Sequence, residues 1–497
     1  MNILHIDIDT LRADHLGCYG YHRNTSPNID KIARQGVRFD NCYVSDSPCM
    51  PSRASFFSGK CGIRNGIVNH GGEAAELFIK PEERGFKALL DNFVIQLRKK
   101  DFYTVTVSPF GERHSAFWFY NGFREMYNTG KSGGERADEI VPVALDWLDR
   151  RGKENNWYLH VNVWDPHTAY KVPDEFGNPF ENDPPPEWMS DEIRKKTWDT
   201  YGPGCAREPG GDYLGEKAYE AFPRMPLQID SMEAYKKWVD GYDTGVWYAD
   251  KHVGLLVDKL EELGLMDDTM IIVTADHGEN LGELAVYGDH QTADHITNRV
   301  PMIIKHPKGL GGVNRVDNAL RYHFDVAATV IEMTGGKVPG SWDGQSFLRS
   351  FEKETEDGRE YLVVSNCTWA CQRSVRWKDH ILIKTYHTGF KNYPDTMLFN
   401  VKDDPHELND LSGSEPGLLK EGETKLKEWY EKEMKRSPFG VDPMETVLKE
   451  GGPYHATFRS EAFDLYLKRL RETGRESYAD DLEIRKKEWE KTYGGKS

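Results

Sequence analysis

The stretch Asn2-Ile3-Leu4-His5-Ile6-Asp7-Ile8-Asp9-Thr10 (residues 2–10) reads as an apolar strand that runs into carboxylates. Ile3, Leu4, Ile6 and Ile8 fall on both faces of such a strand, the pattern of one buried on each side. Open α/β sheets gather their ligands just outside the carboxyl ends of the strands. Asp7 and Asp9 therefore stand where chemistry is expected. Further short apolar runs cover Tyr103–Val107, Trp157–Val163, Met270–Ala275 and Val300–Ile304. Asp165 and His167 follow the second of these, and Asp276 and His277 follow the third. Helical patterns lie between them: Ile140, Ala144, Leu145 and Leu148 share one face, as do Val246, Ala249, Val253, Leu256, Val257 and Leu260. The alternation predicts a layered α/β fold, a large mixed sheet flanked by helices.

A chain of 497 residues exceeds what one core usually serves, so two domains are expected. The pattern changes near residue 360, where Leu362-Val363-Val364, Ser374-Val375-Arg376, Ile381-Leu382-Ile383 and Leu398-Phe399 predict a small antiparallel sheet. We divide the chain into residues 1–360 and a smaller C-terminal domain, 361–497. The stretch 173–226, with Pro184-Pro185-Pro186, reads as a long excursion from the main sheet, either functional or an irregular insertion. The charged tail beyond Thr457 carries Phe463, Leu467 and Leu470 at helical spacing and predicts a helix that docks. A net charge of −17 argues against nucleic acid or an anionic membrane as partner, while leaving small anionic substrates open. No run resembles a secretory leader or a membrane span, and a cytoplasmic location is expected. Seven cysteines, an odd and sparse set, exclude a disulfide scaffold. Cys367 and Cys371 lack a second pair that would complete a zinc pattern.

The most informative segment is Cys49-Met50-Pro51-Ser52-Arg53, followed by Ala54-Ser55-Phe56-Phe57-Ser58-Gly59. Pro51 suits the first turn of a helix and Gly59 its end. Cys49 would then sit at a helix N-terminus, where unpaired N–H groups favour an anion, with Arg53 near enough to brace the site. Taken alone, these residues fit an activated cysteine or a buried structural thiol.

Cys-x-Pro-Ser-Arg resembles the signature of the type I sulfatases of the alkaline-phosphatase-like superfamily. Three further segments resemble that family in the family's order: residues 9–20, Thr274-Ala275-Asp276-His277-Gly278-Glu279, and residues 400–409. The resemblance implies the alkaline-phosphatase-like sulfatase fold and conversion of Cys49 to formylglycine by a maturation enzyme. The aldehyde hydrate then has one hydroxyl to attack sulfur and another to expel sulfate. It also implies a divalent metal on Asp9, Asp276 and His277, calcium before magnesium. Asp7 lies on the same strand face as Asp9 and either contributes to the metal or is bonded to a nearby loop. His167 is implied as the contact to the sulfate ester or leaving oxygen, and His114 as the group orienting the diol.

Two departures stand out. Where the family has Gly-Lys-Trp-His, this chain has Gly111-Glu112-Arg113-His114, and Arg113 is the expected replacement cation. Where relatives carry a second lysine, this chain has Asp289, and the adjacent His290 is expected to take over anion contact or protonation. Arg373, Arg376 and Lys378 beside Trp369 read either as a saccharide-binding pocket or as a sheet edge with ordinary ion pairs. The expected activity is hydrolysis of sulfate from a glycosaminoglycan-derived mono- or disaccharide. Hydrolysis of phosphonate monoesters or phosphodiesters, and a disabled fold that only binds, are the alternatives.

Overall fold

The computed structural model describes residues 1–78, 91–211, 221–308, 310–437 and 439–494. The opening apolar run forms strand β1 (Asn2–Ile8), buried along its whole length. Its sheet is built with β2 (Val37–Phe39), β4 (Tyr103–Val107), β5 (Glu125–Tyr127), β6 (Trp157–Val163), β7 (Thr269–Thr274), β8 (Met302–Lys305) and β9 (Arg315–Asp317); β3 belongs to a second sheet. The order is β9-β2-β8-β7-β1-β6-β4-β5, which puts β1 among the central strands. It runs parallel to β6 and β7 on either side, and β4 and β5 continue the parallel set. β8 runs antiparallel to both β7 and β2, so the sheet is mixed, as expected. The runs at 103–107 and 157–163 form strands with those bounds. The one expected from Val300 begins only at Met302, after Pro301, which has no N–H to give a ladder.

Parallel packing of β6, β1 and β7 brings their carboxyl ends to one edge. Asp7 pairs in register with Asn162 on one side and Thr274 on the other. Asp9, Asp165, His167, Asp276 and His277 therefore leave the sheet at the same end. The 31-residue helix α4 (Met232–Glu262) packs against α1 (Pro27–Arg34) and α3 (Ala137–Arg151). Its N-cap, Ser231, accepts a hydrogen bond from the Ala234 N–H. No helix among the described residues is long and apolar enough to cross a membrane.

The second sheet contains β10 (Tyr361–Asn366), β11 (Cys371–Trp377), β12 (His380–His387) and β13 (Thr396–Asn400), antiparallel in sequence. The helix Pro416–Arg436 covers it, with Leu426 and Trp429 against Val375, Trp377 and Leu382. Its fifth strand comes from the other end of the chain. β3 (Asp46–Ser47) pairs in parallel with Ser365 and Asn366. The residues just before Cys49 thus belong to the C-terminal sheet, and the nucleophile segment reaches across the sequence boundary near residue 360.

The tail forms helices Glu461–Glu472 and Glu476–Tyr493. Phe463, Tyr466, Leu467 and Leu470 dock against Tyr201 and Phe390 of the same chain. Tyr201 comes from the excursion at 173–226, of which residues 212–220 lie outside the described residues.

Candidate active site

Cys49 is the first residue of helix α2 (Cys49–Ser58), which ends at Gly59 with φ of 66°. The helix is pinned at its start: the buried Asp46 carboxylate accepts hydrogen bonds from Ser45 Oγ (2.7 Å), Ser55 Oγ (3.0 Å) and the Gly62 N–H (2.7 Å). Ser52 Oγ donates to the Asp276 carbonyl at 2.5 Å, fixing α2 to the end of β7. Pro51 falls in the first turn, where a missing N–H costs no helical bond.

Arg53, one turn further, gives its whole guanidinium to carboxylates. Nε reaches Asp7 Oδ2 at 3.0 Å, Nη2 reaches Asp9 Oδ2 at 3.1 Å, and Nη1 pairs with Asp276 Oδ2. Phe110 lies against the guanidinium at 4.7 Å. Burial pushes the Asp7 carboxyl up, but Arg53 and His160 overcome this and hold it below the usual carboxylate range. Asp276 is pushed up by burial and by neighbouring Asp9, against the pull of Arg53.

Ligand atoms of Asp9, Cys49, Asp276 and His277 all lie within 4.8 Å of one another. Asp9 Oδ1 is buried and has no hydrogen-bond partner. His277 Nδ1 lies 2.8 Å from the Gly278 carbonyl, an acceptor, so Nδ1 carries the proton and Nε2 presents its lone pair. That Nε2 stands 3.1 Å from Cys49 Sγ and 3.3 Å from Asp276 Oδ2. An orphaned carboxylate oxygen and a correctly oriented imidazole among buried acids fit a divalent cation. Asp7 lies outside this group: its Oδ2 serves Arg53 and His160, while its Oδ1, like that of Asp9, is buried with no partner.

Around Cys49 opens a cavity of about 640 Å³. His70, Arg113, His114, His167 and His290 are among the residues that line it. Rings of His290 and His277 lie 4.2 Å apart, those of His290 and His167 5.9 Å, and those of His70 and His114 4.8 Å. Burial lowers four of the lining imidazoles: His70 to about 3, His167 to about 4, His114 and His290 well below the usual value. Burial thus favours their neutral form, with one N–H apiece, and that of His167 is turned to the Thr168 carbonyl. Burial, Asp9 and Asp276 drive the Cys49 thiol well above its ordinary range. Arg113 rests on Trp164 at 4.8 Å.

Residues 1–336 match the family model described as Sulfatase, and residues 282–435 match the one described as N-sulphoglucosamine sulphohydrolase, C-terminal. The chain belongs to the sulfatase family. The fold is that of the family, and the enzyme is a sulfuric ester hydrolase. Among similar proteins is an N-acetylglucosamine-6-O-sulfatase of Bacteroides thetaiotaomicron, 24% identical over 514 residues, covering 90% of this chain and 89% of that protein. Human iduronate 2-sulfatase is 27% identical over 347 residues, covering 62% of this chain and 60% of that protein. A solved structure in complex with its substrate D-glucosamine-2-N,6-O-disulfate superposes with a TM-score of 0.71 at 20% identity, over 89% of this chain and 99% of that one. A phosphonate monoester hydrolase of Agrobacterium radiobacter gives 0.66 at 18% identity, over 91% and 99%. These two superpositions establish the shared fold.

Within this sulfatase, the expected basic cluster is not at the cavity. Arg373 is buried in a two-bond pair with Asp442 at 2.7 and 2.8 Å. Arg376 donates to Tyr43 Oη at 3.0 Å and to the Lys378 carbonyl. Lys378 is exposed and pairs with Glu421 at 3.2 Å. Their reading as substrate contacts is corrected: Arg373 and Lys378 are held in ion pairs and Arg376 by a hydroxyl and a carbonyl, away from the cavity lining. Trp369, four residues before Arg373, does line the cavity. Glu112 turns away to Tyr120, whereas Asp289 stays in the lining. The sequence reading missed His70, whose Nε2 accepts the Met50 N–H at 3.3 Å, and it missed Tyr454 and His455. Asn69-His70-Gly71-Gly72, a histidine before paired glycines in a loop, was the available signal for the first. Nothing in the charged tail marks the other two.

Proposed function

We propose that this sulfatase removes sulfate from a glycosaminoglycan-derived mono- or disaccharide, using Cys49 converted to formylglycine and a hard divalent cation. The observation that carries the reading is the convergence of Cys49, Asp9, Asp276 and His277 on one point beside a cavity lined by neutral imidazoles. The glucosamine-type relative supports a sugar substrate. Conversion of Cys49 would supply the hydrated aldehyde, one hydroxyl of which attacks sulfur. The cation, held by Asp9, Asp276 and His277, would offset charge on the nucleophile and sulfate. Calcium is the first choice and magnesium the second for the carboxylate oxygens, and the nitrogen donor of His277 adds manganese to the choice.

The chain's own residues do the rest. Arg53 keeps three acids together without closing Asp9 Oδ1. The Gly278 carbonyl fixes the His277 tautomer, leaving Nε2 free to accept. N–H groups of His70, His114 and His290 donate to sulfate oxygens without adding charge, His167 having its Nδ1–H turned to the Thr168 carbonyl, while Arg113 supplies the fixed positive charge. A bound anion raises the proton affinity of the imidazoles it touches, which makes His167 and His290 competent to carry a proton to the leaving oxygen.

The test is sulfate release from sulfated mono- and disaccharides by full-length, metal-loaded protein whose converted Cys49 has been verified by peptide mass, with Cys49→Ala as control. Turnover lost in the control supports the reading. Cleavage of a phosphonate monoester with no sulfate release would replace it with the phosphorus-ester activity.

A further inference from the structure

The cavity divides by charge. Among the described lining residues, Arg113 is the one permanent cation and Asp289 the one carboxylate. Arg53 lies beneath, already shared by three acids, and Arg373 and Arg376 are spent elsewhere. Lys391, not part of the lining, is buried with Nζ on the Ala285 carbonyl at 3.2 Å, and its charge partly offsets that of Asp289. After the scissile sulfate is met by Arg113 and the metal, no cation remains in the described lining for a second anion.

Asp289 is held by its backbone neighbour and one amide: Oδ1 accepts the His290 N–H and Oδ2 accepts Gln291 Nε2, both at 2.8 Å. Each oxygen keeps acceptor capacity for a donor in the cavity. Beside it the lining turns apolar. Trp369 and Tyr454 stack with centroids 4.4 Å apart and planes at 25°, and Phe222 and Met225 come from the excursion. Tyr454, His455 and Ala456 have φ of 48°, 47° and 69°, three consecutive non-glycine residues in the left-handed region. Such a conformation is costly and persists where surrounding contacts impose it. Here the Tyr454 N–H donates to the Thr368 carbonyl at 2.5 Å and the Ala456 N–H to the Gly452 carbonyl at 3.1 Å. The strained turn delivers an aromatic ring and an imidazole to the cavity from a tail otherwise devoted to packing.

Resting on the sulfatase reading above, we propose that the substrate brings a single anionic group into this cavity, the scissile sulfate, on an otherwise uncharged pyranose. The ring packs against the Trp369–Tyr454 pair, and Asp289 accepts a hydrogen bond from a hydroxyl or amide N–H of the sugar. An N-sulfate or a carboxylate on the same ring meets Asp289 with no cation beyond Arg113 among the described lining residues, so the site selects by repulsion as well as by fit. The substrate class is a mono-O-sulfated neutral hexose or N-acetylhexosamine.

The experiment compares kcat/KM of converted, metal-loaded full-length protein for N-acetylglucosamine-6-sulfate, D-glucosamine-2-N,6-O-disulfate and a sulfated uronate. The neutral sugar is expected to lead by at least about tenfold. Asp289→Asn should shrink that ratio, chiefly through KM. Trp369→Leu should raise KM for the neutral sugar more than it lowers kcat, with melting temperature confirming that each variant folds. A disulfated or uronate substrate turned over equally well overturns the proposal and leaves the sulfatase reading standing. An unchanged ratio in Asp289→Asn removes Asp289 from it. Absence of sulfate release from every sugar overturns both.

Discussion

At Arg53 one guanidinium separates three acids that would otherwise repel one another, and its planar fork is what reaches all three. Arg53→Lys keeps the charge and loses the fork. We expect kcat/KM for sulfate release to fall at least about tenfold, ~1.4 kcal/mol of barrier, with a lower melting temperature measured on the same samples. Asp9, like Asp7, keeps one buried oxygen without a partner, and it stands beside Cys49, Asp276 and His277. A ligand that binds only the folded state stabilises it by mass action, so a chelator should lower the melting temperature of the wild type. In Asp9→Asn that chelator-sensitive part should shrink, and sulfate release should be lost. A wild-type melting curve indifferent to chelator and to added calcium, magnesium and manganese would remove the cation from the assignment. At this scale the sequence was readable where spacing fixes geometry: the Cys49–Arg53 turn, Asp9 and the Asp276-His277 pair converge as adjacent strand ends require. It was unreadable where a partner decides. Arg373 beside aromatic residues looks like a binding group until Asp442, 69 residues away, is seen to hold it.

Among the elements, α2 is the one whose placement the chemistry depends on. Its end is set by Gly59, where a Cβ would sit in the left-handed region and 2.4 Å from the Trp342 ring. Gly59→Ala combines backbone strain with overpacking and should cost about 2–4 kcal/mol, read as a lower denaturation midpoint in urea. A midpoint equal to wild type would mean that the helix end and Trp342 move apart freely. The strands were largely visible as apolar runs, because a strand covered on both faces has little choice of residue. The short edge strands Glu125–Tyr127 and Arg315–Asp317 gave no such signal, since their pairing supplies the order that their composition lacks.

Across the whole molecule, distant motifs meet physically. Arg12 of the opening segment donates to Glu283 at 2.8 Å, and His406 of the 400–409 segment contacts the same carboxylate at 2.9 Å. The family-like order of these segments thus has a structural reason. A second junction, Glu208, fastens the tail to the excursion through Arg475, Arg469 at 2.8 Å and Tyr466 at 2.8 Å. Burial pushes the Glu208 carboxyl up, and these donors outweigh it, leaving it below its ordinary value near 4.5. Because the folded value is the lower one, the junction stabilises the protein above that ordinary value and is lost as pH falls through the folded one. Glu208→Gln should cost about 3 kcal/mol at neutral pH and flatten the acid limb of a melting-temperature profile. A variant profile parallel to wild type would place acid sensitivity elsewhere.

The parallel pairing of Asp46–Ser47 with Ser365–Asn366 also orders events in time. On the ribosome, Cys49 emerges roughly 300 residues before the strand beside which its segment must lie. At ~5–20 residues per second that interval is tens of seconds. Until β10 arrives, the Cys49 segment lacks its neighbouring strand and stays open to another protein. Afterwards it is sealed at the bottom of a pocket. For the conversion of Cys49 proposed above, an enzyme that grips an extended backbone would have this interval in which to work.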